Sequence, residues 1–335
     1  DPLSKFLPDQ AALLPNGDQI TLRQMAQHTA GLYDYADNII AAGIMDPTAL
    51  EAGFTPAELV QDAADNGSPY FTPGEEGLWY YSNTGYVLLG MIIESITGES
   101  LTDLFQTRIF DPLGLESAVL IEGVPQAGEI TTQGYWWTEE GERLNTTSWN
   151  ASQGWAAGAV AMTASDLAAY GKALAAGELF KNPATLMEML TFDPDAINGV
   201  GAPYGLGLFD VAGDGSVWGH AGQTLGFQSL WFTDPEEEII VVGLTNSATY
   251  KADGLLNVLQ ILEGDGALPV GPYTLLPIGL PTKWQWAQFV TQVEAIEIDA
   301  TADLTLTLGK DQSVLVNHPE CGIAAGTYTV DGLGN

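Results

Sequence analysis

The stretch Tyr81-Ser-Asn-Thr-Gly-Tyr-Val-Leu-Leu-Gly-Met-Ile-Ile-Glu-Ser-Ile-Thr-Gly98 decides how this chain is read. Val87, Leu88, Met91, Ile92 and Ser95 recur at helical spacing, which predicts an amphipathic helix that Gly98 ends. The triplet Tyr81-Ser82-Asn83 stands just before that helix, after the Pro73-Gly74 turn signal. Upstream, Thr21 with Gln24 forms a capping-box pattern, and Gly31 is a stop signal just after His28-Thr29-Ala30. Thr55-Pro56-Ala57-Glu58 combines an N-cap, a first-turn proline and a capping glutamate. Downstream, Ser100 with Asp103, Ser165-Asp166 to Leu174, and Asn182-Pro183 to Leu190 predict further helices.

The pattern then changes. Ser216 to His220, Gly226 to Thr233 and Glu238 to Thr245 predict three strands, with a turn at Asp234-Pro235. The continuous run Ile239-Ile240-Val241-Val242 fits a strand buried on both faces. Leu255, Leu256, Val258, Leu259 and Leu262 predict a helix that covers the sheet and ends at Gly264. Residues 265–282 are rich in Gly and Pro and read as a linker. Beyond it, Val293 to Ile298, Leu304 to Leu308, Ser313 to Val316 and Gly326 to Val330 alternate like short strands. The expected organisation is an α+β domain over 1–264, the linker, and a partial small β-domain over 283–335.

The 335 residues carry 43 acidic and 9 basic side chains, a formal charge of −34. So negative a chain repels phosphate backbones, which argues against nucleic acid as a partner. Hydrophobic residues at 46% supply enough material for a sizeable core. No apolar run is long enough to span a membrane. Cys321 stands alone, which excludes an intrachain disulfide and a thiolate-rich zinc site. His318-Pro319-Glu320-Cys321 has metal-ligand residue types but no second pair, so it reads as a surface loop. No metal or organic cofactor is expected.

Four segments together resemble the serine hydrolases of the class C β-lactamase and D-alanyl-D-alanine carboxypeptidase superfamily. They are Ile20 to Leu32, Tyr81 to Gly98, Ala157-Gly-Ala-Val-Ala-Met-Thr-Ala-Ser-Asp-Leu167, and Gly219-His-Ala-Gly-Gln-Thr-Leu-Gly226. The resemblance covers about residues 1–263. It implies a β-lactamase/transpeptidase-like fold: an antiparallel sheet flanked by helices, plus an all-helical region. It also implies acyl transfer to water through a serine ester. Tyr81 would then accept the serine proton and pass it to the leaving group. Asn83 would offer its amide to the substrate carbonyl. The strand edge after His220, through Ala221 and Gly222, would pair with an extended substrate. The backbone N–H of Gln223 would supply half of an oxyanion hole. Trp136, Trp137 and Trp155, read as loop residues near these motifs, are candidates for the pocket wall. Relatives of this kind work outside the cytoplasm, which implies an exported protein; the resemblance says nothing about oligomeric state.

The family's first motif, Ser-x-x-Lys, has no counterpart: no lysine in the sequence has serine three residues earlier. Thr307-Leu-Gly-Lys310 comes nearest, on a strand-like run out of order. Asp1-Pro-Leu-Ser-Lys-Phe-Leu-Pro8 resembles a segment that follows that motif, so the expectation is an N-terminally truncated, inactive hydrolase. The first strands would be absent with it, and the edge of the Glu238 to Thr245 strand would stand open. The alternative is a non-catalytic binding protein that keeps the groove for peptidoglycan or another peptide. No basic residue lies in Gly205-Leu-Gly-Leu-Phe-Asp210, ahead of the third motif. A substrate carboxylate is therefore less favoured than a neutral ester or amide. β-Lactams, D-amino-acid peptides and small esters or amides stay open as substrates.

Overall fold

The computed structural model describes residues 1–45, 51–126, 128–130, 132–137, 142–197, 202–224, 226–249, 288–289, 305–308 and 327–330. The helix predicted over 255–262, the linker, and the residues His318 and Cys321 lie outside them, as do the strands predicted over 293–298 and 313–316.

Helices α1 (Pro8–Leu13), α2 (Leu22–Ala26), α3 (Tyr35–Met45), α4 (Pro56–Asn66) and α5 (Asn83–Thr97) form the first layer. Both capping boxes close: Thr21 with Gln24 starts α2, and Thr55 with Glu58 starts α4. α5 buries Val87, Leu88 and Ile92 against Met25, Leu59 and Val60, while Ser95 of the predicted face is exposed. Gly98 stops α5 in the left-handed conformation, at φ 71°. α6 (Leu101–Phe105) runs through a π-helical turn, Gln106–Phe110, into α7 (Asp111–Leu113). Among the described residues no helix is long and apolar enough to cross a membrane.

Two small pairings connect this layer to the sheet. β1 (Val119–Leu120) pairs antiparallel with β4 (Val160–Ala161), and β2 (Tyr135–Trp137) pairs antiparallel with β3 (Arg143–Asn145). Trp136 and Trp137 are therefore strand residues, not loop residues.

The main sheet is antiparallel throughout. Its strands are β5 (Asp193–Ile197), β6 (Pro203–Tyr204), β7 (Phe209–Asp210), β8 (Trp218–Thr224), β9 (Phe227–Asp234) and β10 (Ile239–Thr245), adjacent in that order. β8 runs four residues past the predicted end at His220. β11 (Ser247–Thr249) follows β10 and pairs in parallel with β2. β12 (Gln288–Phe289) reaches the outer edge of β10 only at Gly243 and Leu244. From Ile239 to Val242 that edge has no strand partner among the described residues, so the expected open edge is filled in part. β13 (Thr305–Leu308) and β14 (Thr327–Val330) form a separate parallel pair where strands were predicted.

α8 (Ala164–Ala175) covers one face of the main sheet. Its cap is Thr163, whose hydroxyl accepts the Asp166 N–H, two residues earlier than the predicted Ser165 start. Leu167, Ala168 and Leu174 pack there on Trp218, Trp231, Ile240 and Val242. α9 (Ala184–Met189) follows, and Glu188 on it pairs with Arg23 of α2.

Gly219 is fixed by this sheet. A Cβ there would lie 2.1 Å from the Trp231 carbonyl oxygen and 2.8 Å from Phe232 Cα, both backbone atoms. Gly219→Val is therefore expected to destabilise the fold by about 3 kcal/mol, from strain that the paired strands cannot relieve. Urea denaturation checks this; a loss under 1 kcal/mol contradicts the packing.

Candidate active site

Three segments converge where the helical layer meets the sheet. The turn after α2 brings His28, the run into α5 brings Trp79, Tyr81 and Asn83, and β6 to β8 bring Tyr204, Phe209 and His220. His28 adopts φ 59° and is 2% exposed. Its ring lies 4.2 Å from that of Tyr81, 4.9 Å from Tyr204 and 5.3 Å from Tyr86, centroid to centroid. Tyr81 in turn is 6.3 Å from His220, so three of the four segments read from the sequence share one aromatic cluster.

Hydrogen bonds fix both imidazoles. The Ser82 N–H donates to His28 Nδ1 at 3.1 Å, so the neutral ring carries its proton on Nε2. That Nε2 is buried without a partner, as is Trp79 Nε1 beside it. Burial, with a smaller contribution from His220, holds His28 down to about 3. His220 stacks on Phe209 at 4.4 Å and donates from Nδ1 to the Ala221 carbonyl. Its Nε2 then accepts the Tyr204 hydroxyl at 2.9 Å. Burial lowers His220 to about 4, against a small opposing effect of the Ala221 contact. Tyr86 donates to the Ala26 carbonyl at 2.9 Å, and its oxygen also interacts with the Tyr204 hydroxyl.

Tyr81 is half-buried, and burial followed by the charge of Asp34 pushes its phenol above the ordinary range. A phenol raised in this way is a proton donor. Asn83 opens α5 and donates from Nδ2 to Asp34 Oδ2 at 2.8 Å. Asp34 is 6% exposed, and its Oδ1 accepts the Ala36 N–H at 3.0 Å. Thr84 locks the same corner, donating to the Tyr33 carbonyl at 2.7 Å.

On β8, the residues from His220 to Thr224 pair with β9 on one side. β7 reaches β8 only at Trp218 and Gly219, so the other edge of this stretch has no strand partner among the described residues. Ala221, Gly222 and Gln223 lie on it. The Gln223 side chain accepts from Gln228 Nε2 at 3.0 Å across the strand pair.

The tryptophans sit elsewhere than expected. Trp155 and Trp136 are 6% and 5% exposed in the core of the helical layer, not on an open wall. Trp155 packs so tightly on α5 that a Cβ at Gly90 would lie 2.9 Å from its ring. Trp137 is half-buried, and its Nε1–H donates to Ser247 Oγ at 3.0 Å. Asp34 and Tyr204 are site residues that sequence reading missed. The signal for Tyr204 was its place beside Gly205 ahead of the third motif; Asp34 had only its nearness to the His28 turn.

Comparison with known proteins follows the same outline. The sequence profile of the family described as Beta-lactamase matches residues 1–265. A putative penicillin-binding protein, PbpX, of Bacillus subtilis is 25% identical over 266 residues, which are 78% of this chain and 60% of that protein. A D-aminopeptidase of Cereibacter sphaeroides is 27% identical over 281 residues, 80% of this chain and 50% of the enzyme. The chain thus spans half to three-fifths of the length of these relatives. The crystal structure of a D-stereospecific amidohydrolase from Streptomyces sp. superposes with a TM-score of 0.69 at 30% identity, covering 78% of this chain and 77% of that one.

Proposed function

The chain belongs to the beta-lactamase family, and from that premise we propose that its Tyr81, Asn83 and β8 edge serve a serine hydrolase acting on the amide of a D-amino-acid derivative. The convergence of Tyr81, Asn83 and the open β8 edge carries this reading. The nucleophile's hydroxyl proton passes to the Tyr81 oxygen as the hydroxyl oxygen bonds to the substrate carbonyl carbon. Tyr81 then returns that proton to the leaving amine as the C–N bond breaks, and water releases the acyl group by the reverse sequence. Asn83 orients the carbonyl, and the Gln223 N–H carries half of the developing oxyanion charge. Neutral amides or esters suit a site whose two histidines are held uncharged, and the names of the relatives favour D-amino-acid amides.

Tyr81 needs a nearby cation to serve as a base, because its surroundings raise its pKa. The sequence contains no Ser-x-x-Lys to provide the nucleophile and that cation. Our reading is that the 335 residues alone are inactive and that a form bearing Ser-x-x-Lys is active and exported. The test compares the two on D-phenylalaninamide, nitrocefin and p-nitrophenyl acetate. Turnover by the 335 residues at the rate of the Ser-x-x-Lys form refutes the assignment. Tight peptide binding without turnover in both forms favours the non-catalytic binding protein, a reading the missing motif supports.

A further inference from the structure

We propose that Asn66-Gly67 is a self-modification site: the Asn66 side chain closes onto the Gly67 nitrogen, converts to aspartate and isoaspartate, and so loosens the corner ahead of α5. The chemistry takes place away from the aromatic cluster and does not depend on the hydrolase reading.

A glycine after an asparagine gives the attacking nitrogen an approach that no Cβ obstructs. The described residues hold two such pairs, Asn16-Gly17 and Asn66-Gly67; a third, Asn198-Gly199, lies outside them. The two differ in what holds the nitrogen. Gly17 is buried, its N–H donates to the Leu14 carbonyl at 3.1 Å, and Asn16 is left-handed at φ 58°. Asn66 is exposed at the last position of α4, where helix ends fray. Gly67 turns extended, at φ −119° and ψ 160°, and its N–H has no hydrogen-bond acceptor among the described residues.

Solvent base takes the Gly67 N–H proton, the nitrogen bonds to Asn66 Cγ, and the Cγ–Nδ2 bond breaks as ammonia leaves. The product is a cyclic imide, which water opens. Cleavage of the N–Cγ bond gives aspartate. Cleavage between the nitrogen and the Asn66 main-chain carbonyl carbon gives isoaspartate, with an added methylene in the main chain.

Both products put a carboxylate where an amide donated to Asp62 Oδ1 at 2.8 Å. Two acids then meet at a helix C-terminus, which itself disfavours negative charge. Asp62 Oδ2 accepts from Asn38 Nδ2 at 3.0 Å, and Asn38 Oδ1 accepts the Tyr33 hydroxyl at 2.8 Å. Gly67 also has no slack: a Cβ there would lie 1.9 Å from Tyr33 Cγ. The extra methylene of isoaspartate therefore pushes on Tyr33, whose carbonyl accepts the Ser82 and Thr84 hydroxyls at 3.3 and 2.7 Å. Those two residues flank Asn83.

The test incubates the 335-residue protein at mildly alkaline pH and maps its peptides by mass spectrometry, with isoaspartyl methyltransferase labelling to mark isoaspartate. Asn66 is expected to convert about tenfold faster than Asn16, the ratio set by the one backbone hydrogen bond that must break at Gly17. Hydrogen exchange at the Tyr35 and Ser82 amides, which donate to Thr84 Oγ1 and His28 Nδ1, should become about fivefold faster after conversion. Asn66→Gln, whose longer side chain does not form this ring, should keep its exchange rates through the same incubation. Asn66 intact while Asn16 converts, or equal rates at the two, overturns the proposal. So does conversion of Asn66 with unchanged exchange at both amides, or equal loosening in Asn66→Gln. If that variant does not fold, the native protein before and after incubation decides alone.

Discussion

Tyr81→Phe, made in a form of the protein that carries a serine nucleophile, should lower kcat/KM for a D-amino-acid amide by about 10²- to 10⁴-fold, the range of one proton-transfer group. That is about 3–5 kcal/mol of transition-state stabilisation. KM should change little, because the phenol ring keeps its contact with His28 and the carbonyl-orienting amide of Asn83 is untouched. The loss should appear equally in kcat and kcat/KM, the pattern of an interaction made only in the transition state. Loss under tenfold removes Tyr81 from the proton path. A large rise in KM with kcat retained moves it to ground-state binding.

The second large effect is acid sensitivity from His28. In the unfolded chain its pKa is 6.5, and in the fold about 3. Above pH 6.5 both states hold a neutral ring, and the difference costs nothing. As pH falls below 6.5 the unfolded chain binds a proton that the buried ring refuses, so stability is lost progressively down to about pH 3. At pH 4.5 the two-unit gap amounts to about 3 kcal/mol. His28→Asn isolates this contribution. An asparagine oxygen can accept the Ser82 N–H, and asparagine tolerates the left-handed backbone at this position. The variant should be less stable at pH 7, where the ring packing is lost. Between pH 6.5 and 4.5 the native protein should then lose about 3 kcal/mol that the variant keeps, by urea denaturation at each pH. Parallel curves over that range would show that His28 does take up its proton in the fold. His220, lowered to about 4, acts in the same direction.

Local chemistry was legible in the sequence, and tertiary chemistry was not. The Thr21–Gln24 and Thr55–Glu58 boxes formed because cap and partner lie three residues apart and need no third party. β10 was readable because its apolar run Ile239–Val242 is continuous, and β9 because Leu230, Trp231 and Phe232 lead into the Asp234-Pro235 turn that marks the boundary. The end of β8 was hidden: Gly222, Gln223 and Thr224 carry no apolar alternation, and that stretch has a strand on one side only among the described residues. The parallel pairing of β11 with β2 joins residues about 110 positions apart, which no local pattern encodes. At the candidate site, Tyr81, Asn83 and His220 were singled out through the family resemblance of their motifs, and the fold brings Tyr81 and His220 into one aromatic cluster. Asp34 and Tyr204 were missed because what marks them is burial, and burial is decided by the segments that close over them.

The edge of β8 that has no strand partner among the described residues has a consequence for breadth of use. It presents peptide N–H and C=O groups at the fixed step of a strand, about 3.4 Å per residue. Such groups recognise a backbone and are blind to the side chains it carries. Promiscuity along the strand is therefore a property of the sheet itself. On the hydrolase reading, discrimination falls to the aromatic end, where Tyr81 and His220 stand. Selection for altered ligands would be expected to act on those few rings while leaving Ala221 to Thr224 unchanged.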